Sequence, residues 1–437
     1  VSLVYETTNA YDSQFTYFGV GDGVAPVLKV EMDLSSSFPT EVLDLDYGGV
    51  LAYNTVTVYD TEDRYDGFVV FDDITSSVRS VDIVRGKSSI SYDHFDAGTC
   101  ALELSDFDSR FLPDEVLSPF YPNVKPLRQV RISATWSGDT FTLFRGYVDN
   151  WDIRWEPRQQ YATVNVSVTD ATKLLANFDT EYEGLDDDPA WERVRDMIAD
   201  KGWPNQFTDI DDDGYSALLV QDTADRRPLL PNLQEYETAE QGALFIASDG
   251  KITWRNIARA YPNIGQPAEY VFSDTGGPGL VNIREIDFSV SDEVLYNVVS
   301  VTPVAGTEQV RTDGTSVDEF RERAKILTDV PLTTDAAADY LAAFILDKQG
   351  RPQARITSVS TDPRLSIHST KAVLDGELLT RVDISRTPPG GTTSSYKMFV
   401  IGVRHSITPE LWLTDFQTDY RITPFVLISP PVIIPSP

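Results

Sequence analysis

Apolar and polar positions alternate with a period of two through most of this chain. In VRISATW, Val130, Ile132, Ala134 and Trp136 fall on one face; in ATVNVSVTD, Ala162, Val164, Val166 and Val168 alternate with Thr163, Asn165, Ser167 and Thr169. Such alternation predicts half-buried antiparallel strands. LKVEMDL (Leu28, Val30, Met32, Leu34), IDFSV (Ile286, Phe288, Val290) and FVIGVRHSI (Phe399, Ile401, Val403, His405, Ile407) carry the same pattern. Strands joined by short turns such as Ser137-Gly138-Asp139 belong to barrels or sandwiches, not to doubly wound sheets.

Three segments read as helices. Asp188-Pro189 opens WERVRDMIADKG with a capping carboxylate and a first-turn proline; Trp191, Val194 and Ile198 form its stripe and Gly202 stops it. A second is expected to start at Thr238, whose spacing to Gln241 fits a capping box, and to run through ALFIAS to the Asp249-Gly250 turn, with KITWRN returning as a strand. In DAAADYLAAFILDKQG, Leu341, Phe344 and Ile345 share a face, and Gly350 then Pro352 end the helix.

The fold class that follows is mainly β with α+β insertions: two β-barrel modules flanking smaller helix-containing modules. The map runs as an N-terminal extension at 1–65 with a possible first barrel strand, a first barrel at 66–178, an α+β insertion at 179–280 and strands returning to the first barrel at 281–305. A helical or mixed module at 306–360, a second barrel at 361–425 and a proline-rich tail at 426–437 complete it. VRISATW, TLFRGYVDNW and VNVSVTD in the first barrel loosely parallel RVDIS, KMFVIGVRHSI and WLTDFQTD in the second. Related barrels and coincidence both fit that likeness. Gly146 and Gly402 sit inside the two middle strands, where a bulge or a sharp barrel bend is the usual reason; Gly86 and Gly98 are taken as further bends.

Composition narrows the function. The 437 residues hold 36 Lys and Arg against 68 Asp and Glu, a formal charge of −32. That charge opposes wrapping nucleic acid, which needs clustered cations to displace counterions, yet leaves open a passive relation to DNA in which the protein must not stick. At 41% hydrophobic the chain can bury real cores, and a prior of about 100–200 residues per domain gives two to four domains. No run reaches the ~18 apolar residues of a membrane span. The start, VSLVYETTNAYDS, lacks a basic region before an apolar run, so it does not read as a signal peptide, and without an initiator Met the true start stays open.

Candidate chemistry is sparse. Asp209, Asp211 and Asp213 in DIDDDG match the opening of a calcium loop, but the closing position is Val220, not a carboxylate, so a solvated acidic turn is favoured over a weak calcium site. Cys100, the single cysteine, shares a strand face with Leu102 and Leu104 and reads as a buried apolar residue, not a nucleophile. His94, His368 and His405 show no metal spacing; His405, in the inward register, reads as a hydrogen-bonded core or interface residue. No GxSxG elbow is present, and TGGPG and PPGG read as turns. Trp151 and Trp155 share a face with Ile153 and, with Trp412, are assigned to packing or interfaces over a sugar platform. No catalytic residue, metal or cofactor is assigned, and the chain is not expected to be an enzyme.

DDITSSVRSVDIVRGKSS, FDAGTCALELSDFDSRFLP, SPFYPNVKPLRQVRISATW, LFRGYVDNWDIRW and VNVSVTDATKLLA, between residues 72 and 178, resemble the minor tail or baseplate hub proteins of long-tailed bacteriophages, especially siphophages of actinobacteria. YNVVSVTPVAG, DGTSVDEFRER, the alanine-rich helix and FVIGVRHSITPELWLTDF extend the likeness to about residue 422. Residues 35–70 look like an insertion.

The resemblance implies a structural virion protein at the tail tip, made in the bacterial host cytoplasm. It implies a homotrimer in which two barrels per chain make a pseudo-sixfold ring around the DNA exit channel, joining a sixfold tail tube to a threefold tip. Its partners would be other copies of itself, a distal tail protein or tube ring, the tape measure protein, further tip proteins or fibres, and DNA passing without specific binding. Two other classes stay open: a secreted glycan-binding or glycan-hydrolysing β protein, and a calcium-stabilised adhesin.

Overall fold

The computed structural model describes residues 25–34, 71–87, 93–155, 161–203, 205–212, 216–222, 225–352 and 354–420. Most of the 1–65 extension, Asp213 and the 426–437 tail lie outside them.

Strands come first: β1 (Val27–Asp33), β2 (Phe71–Asp73), β3 (Val78–Gly86), β4 (Thr99–Asp106), β5 (Gln129–Trp136), β6 (Asp139–Arg154) and β7 (Ala162–Thr169). They pair antiparallel in the order β2-β1-β5-β6-β7-β4-β3. The alternation explains the layering, because Leu28, Val30, Met32, Cys100, Leu102, Leu104, Val130, Ile132, Val164, Val166 and Val168 all enter one core. Each such side chain contributes roughly 1.5–3 kcal/mol on burial. Burial also pushes the Cys100 thiol up, so it stays protonated and inert. Bulges at Leu143 and Asp149 bend β6 while it passes from β5 to β7.

A helix-bearing stretch follows: α1 (Thr172–Asn177), β8 (Asp179–Thr180), β9 (Asp188–Pro189), α2 (Ala190–Asp200), β10 (Thr208–Ile210), β11 (Leu218–Leu219), β12 (Arg227–Pro228), α3 (Leu229–Glu240), β13 (Ala243–Ile246), β14 (Ile252–Arg255) and α4 (Ile257–Ala260). Val194 and Ile198 of α2 are buried, but the Asp188 carboxylate does not cap the helix; it turns back to accept from Leu185 N at 2.7 Å. The second helix is displaced from its expected place. α3 ends at Glu240, where Gln241 is left-handed, and ALFI is the strand β13. A short apolar run buried on both faces carries no period that separates strand from helix, and Thr238 lies inside α3, bonded back to Gln234 O at 3.0 Å.

The last stretch holds β15 (Tyr270–Ser273), β16 (Val281–Asn282), β17 (Glu285–Val290), β18 (Val298–Pro303), β19 (Gln309–Thr312), α5 (Gly314–Phe320), β20 (Ala324–Val330), α6 (Asp335–Gln349), β21 (Ala354–Thr361), α7 (Ile367–Asp375), β22 (Arg381–Arg386), β23 (Ser394–Ile407) and β24 (Trp412–Tyr420). Thr334 caps α6 by accepting from Ala337 N at 3.1 Å, and Leu341 and Ile345 pack with α2, α3 and β18 in a second core. β22, β23 and β24 form an antiparallel meander over a third core.

Residues 281–305 do not return to the first strands. Val281–Asn282 joins β15, Glu285–Val290 joins β21, and Val298–Pro303 centres its own sheet with β19 and β20. Alternation tells which face is buried but not which edge a strand will find. On β17, Ile286 is half-buried while Phe288 and Val290 are exposed, so the expected cover is missing at its end.

The fold is mainly β. A 14-stranded sheet runs through both meanders, because β3 pairs with the second half of β23. Among the described residues no hydrogen-bonded pair closes either half into a barrel.

Candidate functional site

The two meanders meet along one edge of β23. Arg381–Arg386 occupies that edge against Ser394–Phe399, and Val81–Gly86 occupies it against Gly402–Ile407, while β24 lines the other edge from Met398 to Ile407. The handover falls at Gly402, which is the register partner of Gly86. Ile401 is the bulged residue beside it, and its carbonyl accepts from Lys87 N at 2.8 Å. Neither glycine has room for a side chain. A Cβ on Gly86 would lie 2.4 Å from Ile401 O, at a φ of +85° that L residues avoid, and one on Gly402 would lie 2.3 Å from Lys87 O.

The other two glycines are equally close to backbone or carboxylate. Gly146, between the two bulges of β6, leaves 2.7 Å from a Cβ to Thr169 O. Gly98 donates to Asp170 Oδ2 at 2.7 Å and accepts from Asp170 N at 2.8 Å. Burial raises the Asp170 carboxyl to about 6, against the hydrogen bonds it accepts from Thr172 and from Gly98 N.

His405 lies on β23 just past the handover and is buried, its Nδ1 2.9 Å from Thr414 Oγ1 and its ring edge-on to Trp412 at 6.2 Å. Burial, and after it the Arg85 charge, pulls its pKa to about 3, so it is neutral. Trp412 is fully buried. Trp151 is half-buried, stacked on Phe111 at 6.2 Å and donating to Lys125 O at 3.1 Å. Trp155 is 65% exposed and is not part of a core.

Asp209 and Asp211 face arginines. Arg255 reaches Asp209 at 2.9 Å and Asp211 at 3.1 Å, and Arg259 reaches Asp211 at 2.7 Å. Asp209 sits in β10, not in a loop, and the Arg255 guanidinium holds its carboxyl below the usual range. No cluster of three or more His, Cys, Asp or Glu side chains able to hold a metal occurs among the described residues.

Polar ties that the sequence did not announce bind the three cores. Arg85, nearly buried, pairs with Glu377, which also accepts from Ser248 N at 2.9 Å, joining β3, the α7–β22 link and the β13–β14 turn. Asp93 takes Lys325 at 2.6 Å, and His94 takes Glu237 at 2.7 Å. Arg85 and Glu377 are 292 residues apart, and no spacing rule reaches that far. The cleft lined by Asp93, His94, Glu237 and Lys325 holds about 60 Å³, well under the roughly 300–1,000 Å³ of a small-molecule site. Its lysines and carboxylates neutralise one another instead of converging on a ligand.

No protein-family model matches the chain, and no curated protein matches it. Solved structures do. The tail protein of Neisseria meningitidis, 12% identical, aligns over 80% of this chain and 94% of its own with a TM-score of 0.54. The two chains share a fold. The 43 kDa tail protein of prophage MuSo2 from Shewanella oneidensis, 13% identical, aligns over 80% and 94% with a TM-score of 0.53. The resemblance carried by residues 72–422 is thus met at the level of fold. No helix among the described residues is long and apolar enough to cross a membrane.

Proposed function

We propose that this chain is a structural, non-enzymatic component of a phage tail tip: a homotrimeric hub joining the tail tube to the tip around the DNA exit channel. The observation that carries the reading is the edge-to-edge union of two antiparallel meanders at Gly86 and Gly402, inside a fold shared with phage tail proteins. Each meander has a long middle strand with a glycine and an adjacent or nearby bulge. Two such modules in each of three chains supply a ring of six near-equivalent positions, the arrangement needed where a sixfold tube meets a threefold tip. On this reading the domains 66–178 and 361–425 are the two barrels.

Charge supports the channel role. A chain at −32 carries three times that in a trimer, and an acidic wall repels phosphate so that DNA slides without adhering. Neighbours would be a distal tail protein or tube ring, the tape measure protein and further tip proteins or fibres. Electron cryo-microscopy of the assembled chain tests this: a threefold ring with carboxylates facing a duplex-wide lumen supports it. Acidic residues confined to the outer face would remove the channel reading.

A further inference from the structure

Among the described residues, one end of the second meander carries exposed apolar side chains. Phe288 and Val290, 38% and 63% exposed, close β17 there. Their register partners are Ile356, fully buried in the third core, and Ala354, so both side chains lie on the core side of the sheet but run past the core. The Phe288 ring stands 5.9 Å from Tyr396 and has the Arg386 guanidinium 4.6 Å above it. Tyr420, the last residue of β24, donates its hydroxyl to Ala354 O, so the chain leaves the sheet beside the partner of Val290.

After Arg421 the sequence reads ITPFVLISPPVIIPSP, sixteen residues without a charge in a chain that is 24% charged. We propose that this run docks on the end it departs from, with Phe425–Ile428 of the same chain covering Phe288 and Val290. The reach is sufficient. β17 lies two strands from β24, about 10 Å at 4.7–4.9 Å per strand, and five extended residues span about 17 Å. Pro424, Pro430 and Pro431 bar a helix through the run and suit an extended segment laid on a surface. The uncharged run brings no charge of its own onto the apolar side chains, and the Arg386 guanidinium can keep its outer face in water while Phe288 and Val290 are covered. The inference is independent of the hub reading, since it concerns contacts within one chain.

The test pairs Val290→Cys with Leu427→Cys in the full chain; Cys100 is buried and takes no part. Oxidation should give a disulfide within one chain, seen as a monomer of altered mobility on non-reducing gels, faster than for a control pair of Leu427→Cys with Asp114→Cys. A disulfide linking two chains would overturn the proposal by giving the patch to a neighbouring copy, and a yield no higher than the control would overturn it outright. As a second readout, Val290→Cys should label with a maleimide about tenfold faster in a chain ended at Tyr420 than in the full chain. Equal labelling rates would also overturn it.

Discussion

Gly86 and Gly402 face each other as a register pair, and a Cβ on either would fall within 2.4 Å of a backbone carbonyl oxygen on the opposite strand. The join between the two halves of the sheet begins where both strands lack side chains. Gly86→Ala and Gly402→Ala should each cost about 2 kcal/mol or more in denaturant unfolding, because backbone on both sides must move. Gly314→Ala, with nothing among the described residues within 4 Å of its Cβ, should stay near the parent. Equal small effects at all three sites would mean that the handover is slack.

Cutting the tie between the cores should be expensive. Arg85 is 4% exposed, so Glu377→Ala leaves its charge nearly buried without its main carboxylate and should destabilise by roughly 2–4 kcal/mol in chemical denaturation. Arg85→Met with Glu377→Leu together should recover part of that loss, because the uncompensated charge is gone.

Acid should weaken the protein partly through His405. Its folded pKa of about 3 lies below the ordinary 6.5, so between those values the unfolded chain binds the extra proton and stability falls as the pH falls from 6.5 toward 3. At pH 5 this comes to about 2 kcal/mol as an order of magnitude. Asp170 works in the opposite sense: raised to about 6 from 3.8, it favours the folded state as pH falls through that window. Melting curves of His405→Gln against the parent from pH 7 to 5 should therefore show a shallower decline, and parallel curves would refute the assignment.

Much of the strand content is legible in the sequence, and the pairing is not. Val164, Val166 and Val168 announce a buried face by alternation alone, and a glycine inside a strand marks Gly146 and Gly402 as places to look for close backbone. That Gly402 lies opposite Gly86 depends on a contact between distant segments that no local pattern encodes. The same limit applies to residues 281–305, whose strands pair with β15 and β21 or form their own sheet with β19 and β20 instead of returning to the first strands. Pattern alone predicts a helix through the ALFI strand because short apolar runs lack a distinguishing period, and predicts a cap at Asp188, whose carboxylate accepts from Leu185 N instead.

Divalent metal should be irrelevant to stability. Asp209 and Asp211 already bind Arg255 and Arg259, so chelator should leave the melting temperature unchanged. A loss of several degrees on chelation would favour the calcium-stabilised alternative.

Trp155 separates interface from core. At 65% exposure, Trp155→Ala should change chain stability by less than about 0.5 kcal/mol, whereas Trp412→Ala, fully buried, should cost about 3–5 kcal/mol. If Trp155 serves an interface between copies, its variant should shift assembly in sedimentation while leaving the unfolding midpoint alone. A variant that assembles normally would place the interface elsewhere.

Light scattering of the full chain across a wide concentration range tests the hub account most directly. The account predicts particles of three times the 48.7 kDa chain mass, formed without divalent metal. A strict monomer at every concentration that is retained on a glycan array would contradict it.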